Sequence, residues 1–191
     1  MWLCINLKRR GHFLKNFEQL LELDALGQKE LLDKKEVTTA ELTDFYIDRI
    51  QKYNPKLNAV VTEMFDTARE KAKQQEIGNG PVAGLPFLIK DLASIKGVRL
   101  THGSKILKDF VAPMTDDVVQ RYENAGLIFL GKTNTPEFGF LPTTEPDLFG
   151  PSINPWNEKY STGGSSGGAT SAVAAGLIPF AHASDGGGSI R

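Results

Sequence analysis

The sequence predicts an α/β fold in which helices are layered on a largely parallel sheet. Short apolar runs such as Leu85-Pro-Phe-Leu-Ile89 and Leu127–Leu130 read as buried strands, and helical patterns alternate with them. The first third adds amphipathic helices without strand-like alternation.

Taken in order, Phe17, Leu20, Leu21, Leu23 and Leu26 form a stripe at near-helical spacing, and Gly27 reads as its break. Thr38-Thr39-Ala40-Glu41 matches a capping box, with the Thr38 hydroxyl facing first-turn amides and Glu41 reaching back. The helix it opens carries Leu42, Phe45, Tyr46, Ile47 and Ile50, and Asn54-Pro55 is expected to stop it. Asn58 to Val61 reads as a short strand, and Phe65 to Gln75 as a third helix ending near Gly78 and Gly80. Pro81 opens a turn-rich lead into an apolar strand that ends at Lys90. Asp116 to Asn124 reads as a helix stopped at Gly126, and Leu127 to Leu130 as a buried strand. Thr170 to Ala175 is a small-residue helix, and Ile178 to Ala181 a last strand. Residues 1–15 are expected to be a frayed extension and 16–191 the structured part.

Composition narrows the function classes. The 22 basic and 23 acidic residues are mixed along the chain, which argues against a nucleic-acid footprint or a polybasic membrane patch. A single cysteine, Cys4, forms no intrachain disulfide and offers no metal-ligand spacing, so a reducing compartment fits. The least polar window, Ala169 to Ala181, is shorter than the roughly 20 apolar residues of a membrane span. The opening residues place apolar side chains before the basic ones, the reverse of a secretory signal. A cytoplasmic protein without metal or cofactor, and without a membrane or nucleic-acid partner, is expected.

Chemistry concentrates at the end of the chain. Eight of the 19 glycines fall between Gly163 and Gly188, seven of them in two clusters, Gly163-Gly-Ser-Ser-Gly-Gly168 and Asp185-Gly-Gly-Gly-Ser-Ile-Arg191. Consecutive amides of such a loop can line a concavity that holds an anion. In acyl transfer that anion is the oxyanion of the tetrahedral intermediate, and one donor is worth about 10²–10³ in rate. Ser189 follows three glycines and suits an attacking group beside its own oxyanion hole. A flexible Gly/Ser linker is the bland reading, but it leaves the helix and strand between the clusters unexplained.

Such a serine needs a proton acceptor. Of the histidines, His12, His102 and His182, the last precedes the glycine-rich loop and reads as a packed or edge histidine. Burial lowers a lysine's pKa and makes it a base, and Lys90 ends an apolar strand that would carry it inward. A lysine in that position also commonly reaches the surface, so the segment alone leaves both readings open. The letters Gly126 to Lys132-Thr133 fit a phosphate-binding loop, but Leu127–Leu130 between the glycines reads as a strand, which argues against a nucleotide site.

Together these segments resemble the amidase signature family of amide hydrolases. The two glycine-serine clusters are similar to its signature, and Gly84-Leu-Pro-Phe-Leu-Ile-Lys-Asp91 to its lysine motif. Gly131-Lys-Thr-Asn-Thr-Pro-Glu137 and Asn154-Pro-Trp-Asn157 match two further family segments. Ser165 lies 24 residues before Ser189, the family's spacing between its catalytic serines. The resemblance implies a Ser-Ser-Lys triad. Ser189 would attack, Ser165, expected after a cis peptide, would relay the proton, and neutral Lys90 would accept it. It implies an oxyanion hole from the amides of Gly186, Gly187, Gly188 and Ser189, with Ser166, Asp185 and Arg191 supporting the loop. It further implies a helix–sheet–helix fold with a mixed sheet, a small-molecule amide substrate, and a homodimer in a full-length form.

Family members are much longer than this chain, so residues 16–191 are expected to be the N-terminal part of such a domain, truncated before its C-terminal half. Alone, such a part is expected to fold and act poorly. A non-catalytic remnant, and the transamidation subunit of a tRNA-dependent amidotransferase, stay open as alternatives. Members of the latter kind carry Asn-Met-Asp-Glu where this chain has Asn134-Thr-Pro-Glu137. Thr143-Thr-Glu-Pro146 resembles members acting on small or cyclic amides.

Overall fold

A computed structural model describes residues 17–74, 78 and 80–191. The extension expected over 1–15, with Cys4 and His12, and the expected helix end at Gln75 lie outside the described residues. A 3₁₀ turn at Phe17–Glu22 precedes α1, Ala25–Asp33. Gly27 does not break this region. Asp24 does, by capping α1 through a bond from Gly27 N–H to its carboxylate (2.8 Å).

The capping box is present at α2, Thr39–Leu57, where Glu41 N–H donates to Thr38 Oγ1 (3.2 Å) and Thr38 N–H to Glu41 Oε2 (2.8 Å). Thr38→Ala is expected to cost about 1 kcal/mol, read as a lower thermal melt of the whole protein. An unchanged melt would show that the cap contributes nothing. Pro55 lies inside α2 rather than ending it. The helix runs on to Asn58, which takes left-handed φ 50° and donates its own amide to Asn54 O. The expected strand at Asn58 therefore starts later, as β1, Val60–Glu63.

After α3, Phe65–Ala72, the chain forms β2, Pro86–Lys90, then α4, Asp117–Asn124, β3, Ile128–Thr133, and α5, Gly167–Ala174. The strand order is β1-β3-β2, with β1 antiparallel and β2 parallel to β3. The sheet is thus mixed, within an α/β arrangement. Every residue of β2 and β3 is buried, so both faces are covered. The strand expected at Ile178–Ala181 shrinks to one parallel bridge, Ala181 to Leu88. Pro179 lacks the amide that would extend the ladder. Among the described residues no helix is long and apolar enough to cross a membrane.

Candidate active site

β2 carries Lys90 inward to a fully buried position. The ladder continues one residue further, Asp91 N–H donating to Thr133 O (3.0 Å). Alternation along a strand then sends the Lys90 and Asp91 side chains to opposite sides of the sheet. Lys90 Nζ donates to Ser165 Oγ (2.7 Å), Ser166 Oγ (2.9 Å) and Ser184 Oγ (3.1 Å). Burial pulls its pKa down from 10.5 to about 8.

Ser165 and Ser166 lie immediately before α5, Ser166 as its N-cap. The Gly164–Ser165 peptide is cis, and Thr135 Oγ1 holds the Ser165 carbonyl at 3.1 Å. Close packing explains the glycines that follow. A Cβ on Gly168 would strike the backbone N of Asn134, and one on Gly167 the hydroxyls of Thr144 and Thr162. Asn134 ties this corner to β1 through its amide on Ala59 O (2.9 Å) and accepts from Gly168 N–H (3.3 Å).

Ser189 Oγ comes to the same cluster. It accepts from Ser166 N–H (2.9 Å) and Ser165 Oγ (3.4 Å), and shares a hydroxyl contact with Ser166 Oγ (2.7 Å). Both serine hydroxyls therefore bridge Lys90 and Ser189, and the shorter link to Ser189 runs through Ser166. Asp185 gathers the loop, accepting from Gly188 N–H (2.6 Å), Ile190 N–H and Arg191 N–H (3.3 Å each). Arg191 closes it with two side-chain bonds, 2.8 and 2.7 Å. That guanidinium, then the Gly188 amide, hold the Asp185 carboxyl well below the usual carboxylate range.

One expected oxyanion donor is occupied here. Gly188 N–H points to Asp185, because an Asx carboxylate readily captures an amide a few residues on. Among the described residues the amides of Gly186, Gly187 and Ser189 meet no acceptor. Sequence reasoning missed three contributors. Ser184 bonds Lys90, Thr135 holds Ser165, and a buried ion pair joins Lys132 Nζ to Asp91 Oδ1 at 2.7 Å. Lys132 lies inside β3 rather than in a phosphate loop.

A lysine buried at the end of a parallel strand, bonded to serines that meet a third serine on a glycine loop, defines an α/β protein with a serine–lysine cluster. The chain belongs to the Amidase family, whose model matches residues 41–191. It is 44% identical over 171 residues to 6-aminohexanoate-cyclic-dimer hydrolase of Paenarthrobacter ureafaciens, covering 88% of this chain and 34% of that one. One of the subunits of the glutamyl-tRNA(Gln) amidotransferase of Caldanaerobacter subterraneus subsp. tengcongensis is 42% identical over 178 residues, with coverage of 91% and 36%. A solved structure of 6-aminohexanoate cyclic dimer hydrolase superposes with a TM-score of 0.84 at 43% identity, over 90% of this chain and 35% of that chain. The chain spans about a third of the length of these relatives.

Proposed function

We propose that the whole protein hydrolyses carboxylic amides through an acyl-enzyme on Ser189. The observation that carries this reading is the continuous hydroxyl contact from buried Lys90 Nζ to Ser189 Oγ. In the proposed sequence, Ser189 Oγ adds to the amide carbonyl while its proton passes through the Ser165 hydroxyl to neutral Lys90. The oxyanion is received by amides of the Gly186–Ser189 loop. Collapse breaks the C–N bond, and the amine leaves with the proton returned from Lys90 through Ser165. Water, deprotonated by the same route, releases the acid. Ser166 holds Ser189 in place, and Asp185 with Arg191 keeps the loop closed.

The substrate class is a small linear or cyclic amide, in line with the cyclic-dimer hydrolase relative. The amidotransferase relative supports a second reading, transamidation within a multisubunit enzyme, and aryl-amide hydrolysis by the isolated whole protein separates the two. A fluorophosphonate probe on the whole protein is expected to attach at Ser189, located by peptide mass spectrometry. Attachment to another residue would remove Ser189 as nucleophile. In the same assay Ser165→Ala is expected to slow labelling more than Ser166→Ala. The reverse order would transfer the relay to Ser166.

A further inference from the structure

His182 has no part in the chemistry above, yet its side chain contacts the backbone of Lys90. The segment around Ala181 runs beside β2, with His182 N–H donating to Leu88 O (2.9 Å). In a parallel ladder the next bond would run from Lys90 N–H to the carbonyl of residue 182. Here Lys90 N–H donates instead to His182 Nδ1, at 3.3 Å. The backbone leaves the sheet after His182, and Ser184 Oγ arrives 3.1 Å from Lys90 Nζ.

We infer that His182 is a positioning residue for Lys90: its Nδ1 replaces the missing ladder acceptor, freeing the chain to fold Ser184 and the nucleophile loop over the lysine. The inference rests on Lys90 being the base. Without a replacement acceptor, leaving the sheet at this point would orphan the Lys90 amide, a group on a fully buried residue. Nδ1 accepts only when it carries the lone pair, so the proton of the neutral ring sits on Nε2. Lys90 from β2 and Tyr122 from α4, its ring 5.7 Å away, are the titratable groups facing the imidazole. Burial, then the Lys90 charge, keep the ring neutral to below its ordinary pKa of 6.5. Protonation removes the acceptor and sets two like charges side by side.

The test uses the whole protein and the rate of fluorophosphonate labelling at Ser189, per folded molecule, against pH. In the parent, the slope of log rate against pH is expected to steepen from one to two once His182 protonates on the acid side. His182→Asn keeps an acceptor at the Nδ1 position without titrating, so parent-like labelling at pH 8 and a slope that stays at one are expected. His182→Leu removes the acceptor and is expected to slow labelling about tenfold at pH 8, with a slope that stays at one, so that its gap to the parent narrows once His182 of the parent protonates. A steepened slope in His182→Asn, or a parent-like rate at pH 8 in folded His182→Leu, overturns the inference. Lys90→Ala, run alongside, tests the underlying reading separately. Labelling that survives it removes Lys90 as base and the ground of the inference, whereas labelling lost there but unchanged in His182→Leu overturns the role of His182 alone.

Discussion

Lys90→Ala in the whole protein is expected to slow acylation of Ser189 by about 10²–10⁴-fold at pH 8, the usual worth of a positioned general base. The parent rate should rise with pH through the depressed lysine pKa of about 8 and then level off, because only the neutral amine accepts a proton. The alanine variant should lose that dependence. Lys90→Arg should not restore the rate, since a guanidinium keeps its proton. Stability follows the same sign. A lysine whose folded pKa is depressed contributes stability above its unfolded pKa of 10.5, and that contribution is lost as pH falls toward 8. At pH 7 the folded protein therefore buries a charge it would rather hydrate, and Lys90→Met should melt no lower than the parent while labelling far more slowly. Near-parent labelling in Lys90→Ala, or a Lys90→Met melt several degrees lower, would contradict this account.

Much of the cluster is legible in the sequence because it is written in local chemistry. Thr38 and Glu41 form the cap their letters spell, and the glycine runs fall where the backbone is most crowded or most open. Errors arise where another residue overrides the signal of the one that was read. Gly27 reads as a stop but is an ordinary helical residue, since Asp24 has already supplied the boundary. Pro55 reads as a stop, yet a proline in the last turn forfeits only one bond, and Asn54 and Asn58 finish the helix around it. The expected strand at Ile178–Ala181 fails for a related reason. Its residues are apolar, but Pro179 and the departure after His182 leave a single bridge. Nothing in the letters pairs Lys132 with Asp91, because that contact depends on the register of β2 against β3 and on Asp91 extending the ladder by one residue.

That pair carries the second large expectation. Asp91 and Lys132 are 1% and 0% exposed in their side chains. Asp91 Oδ1 meets the ammonium at 2.7 Å, while Oδ2 accepts from Thr101 Oγ1 (2.5 Å) and Thr101 N–H (3.2 Å). Lys132 Nζ also donates to Arg99 O (3.3 Å), so the pair pins residues 99–101 to the sheet. Burial lowers the Lys132 pKa, and Asp91 opposes the shift. A buried pair of this kind is worth little net, but removing one partner strands the other charge at about 3–5 kcal/mol. Lys132→Met is therefore expected to lose about 3–5 kcal/mol against the parent, read as a clearly lower melt of the whole protein. Asp91→Asn combined with Lys132→Met removes both charges, and the amide still accepts from Thr101. The double variant should recover most of the lost stability, giving a strongly favourable coupling in the double-mutant cycle. Labelling at Ser189 should recover with it, since Lys90 lies one residue from Asp91 and its backbone is held by the same ladder. Additive losses in the cycle, with the double variant the least stable of the three, would show that the two charges act independently and that the sheet edge beneath Lys90 is held by something else.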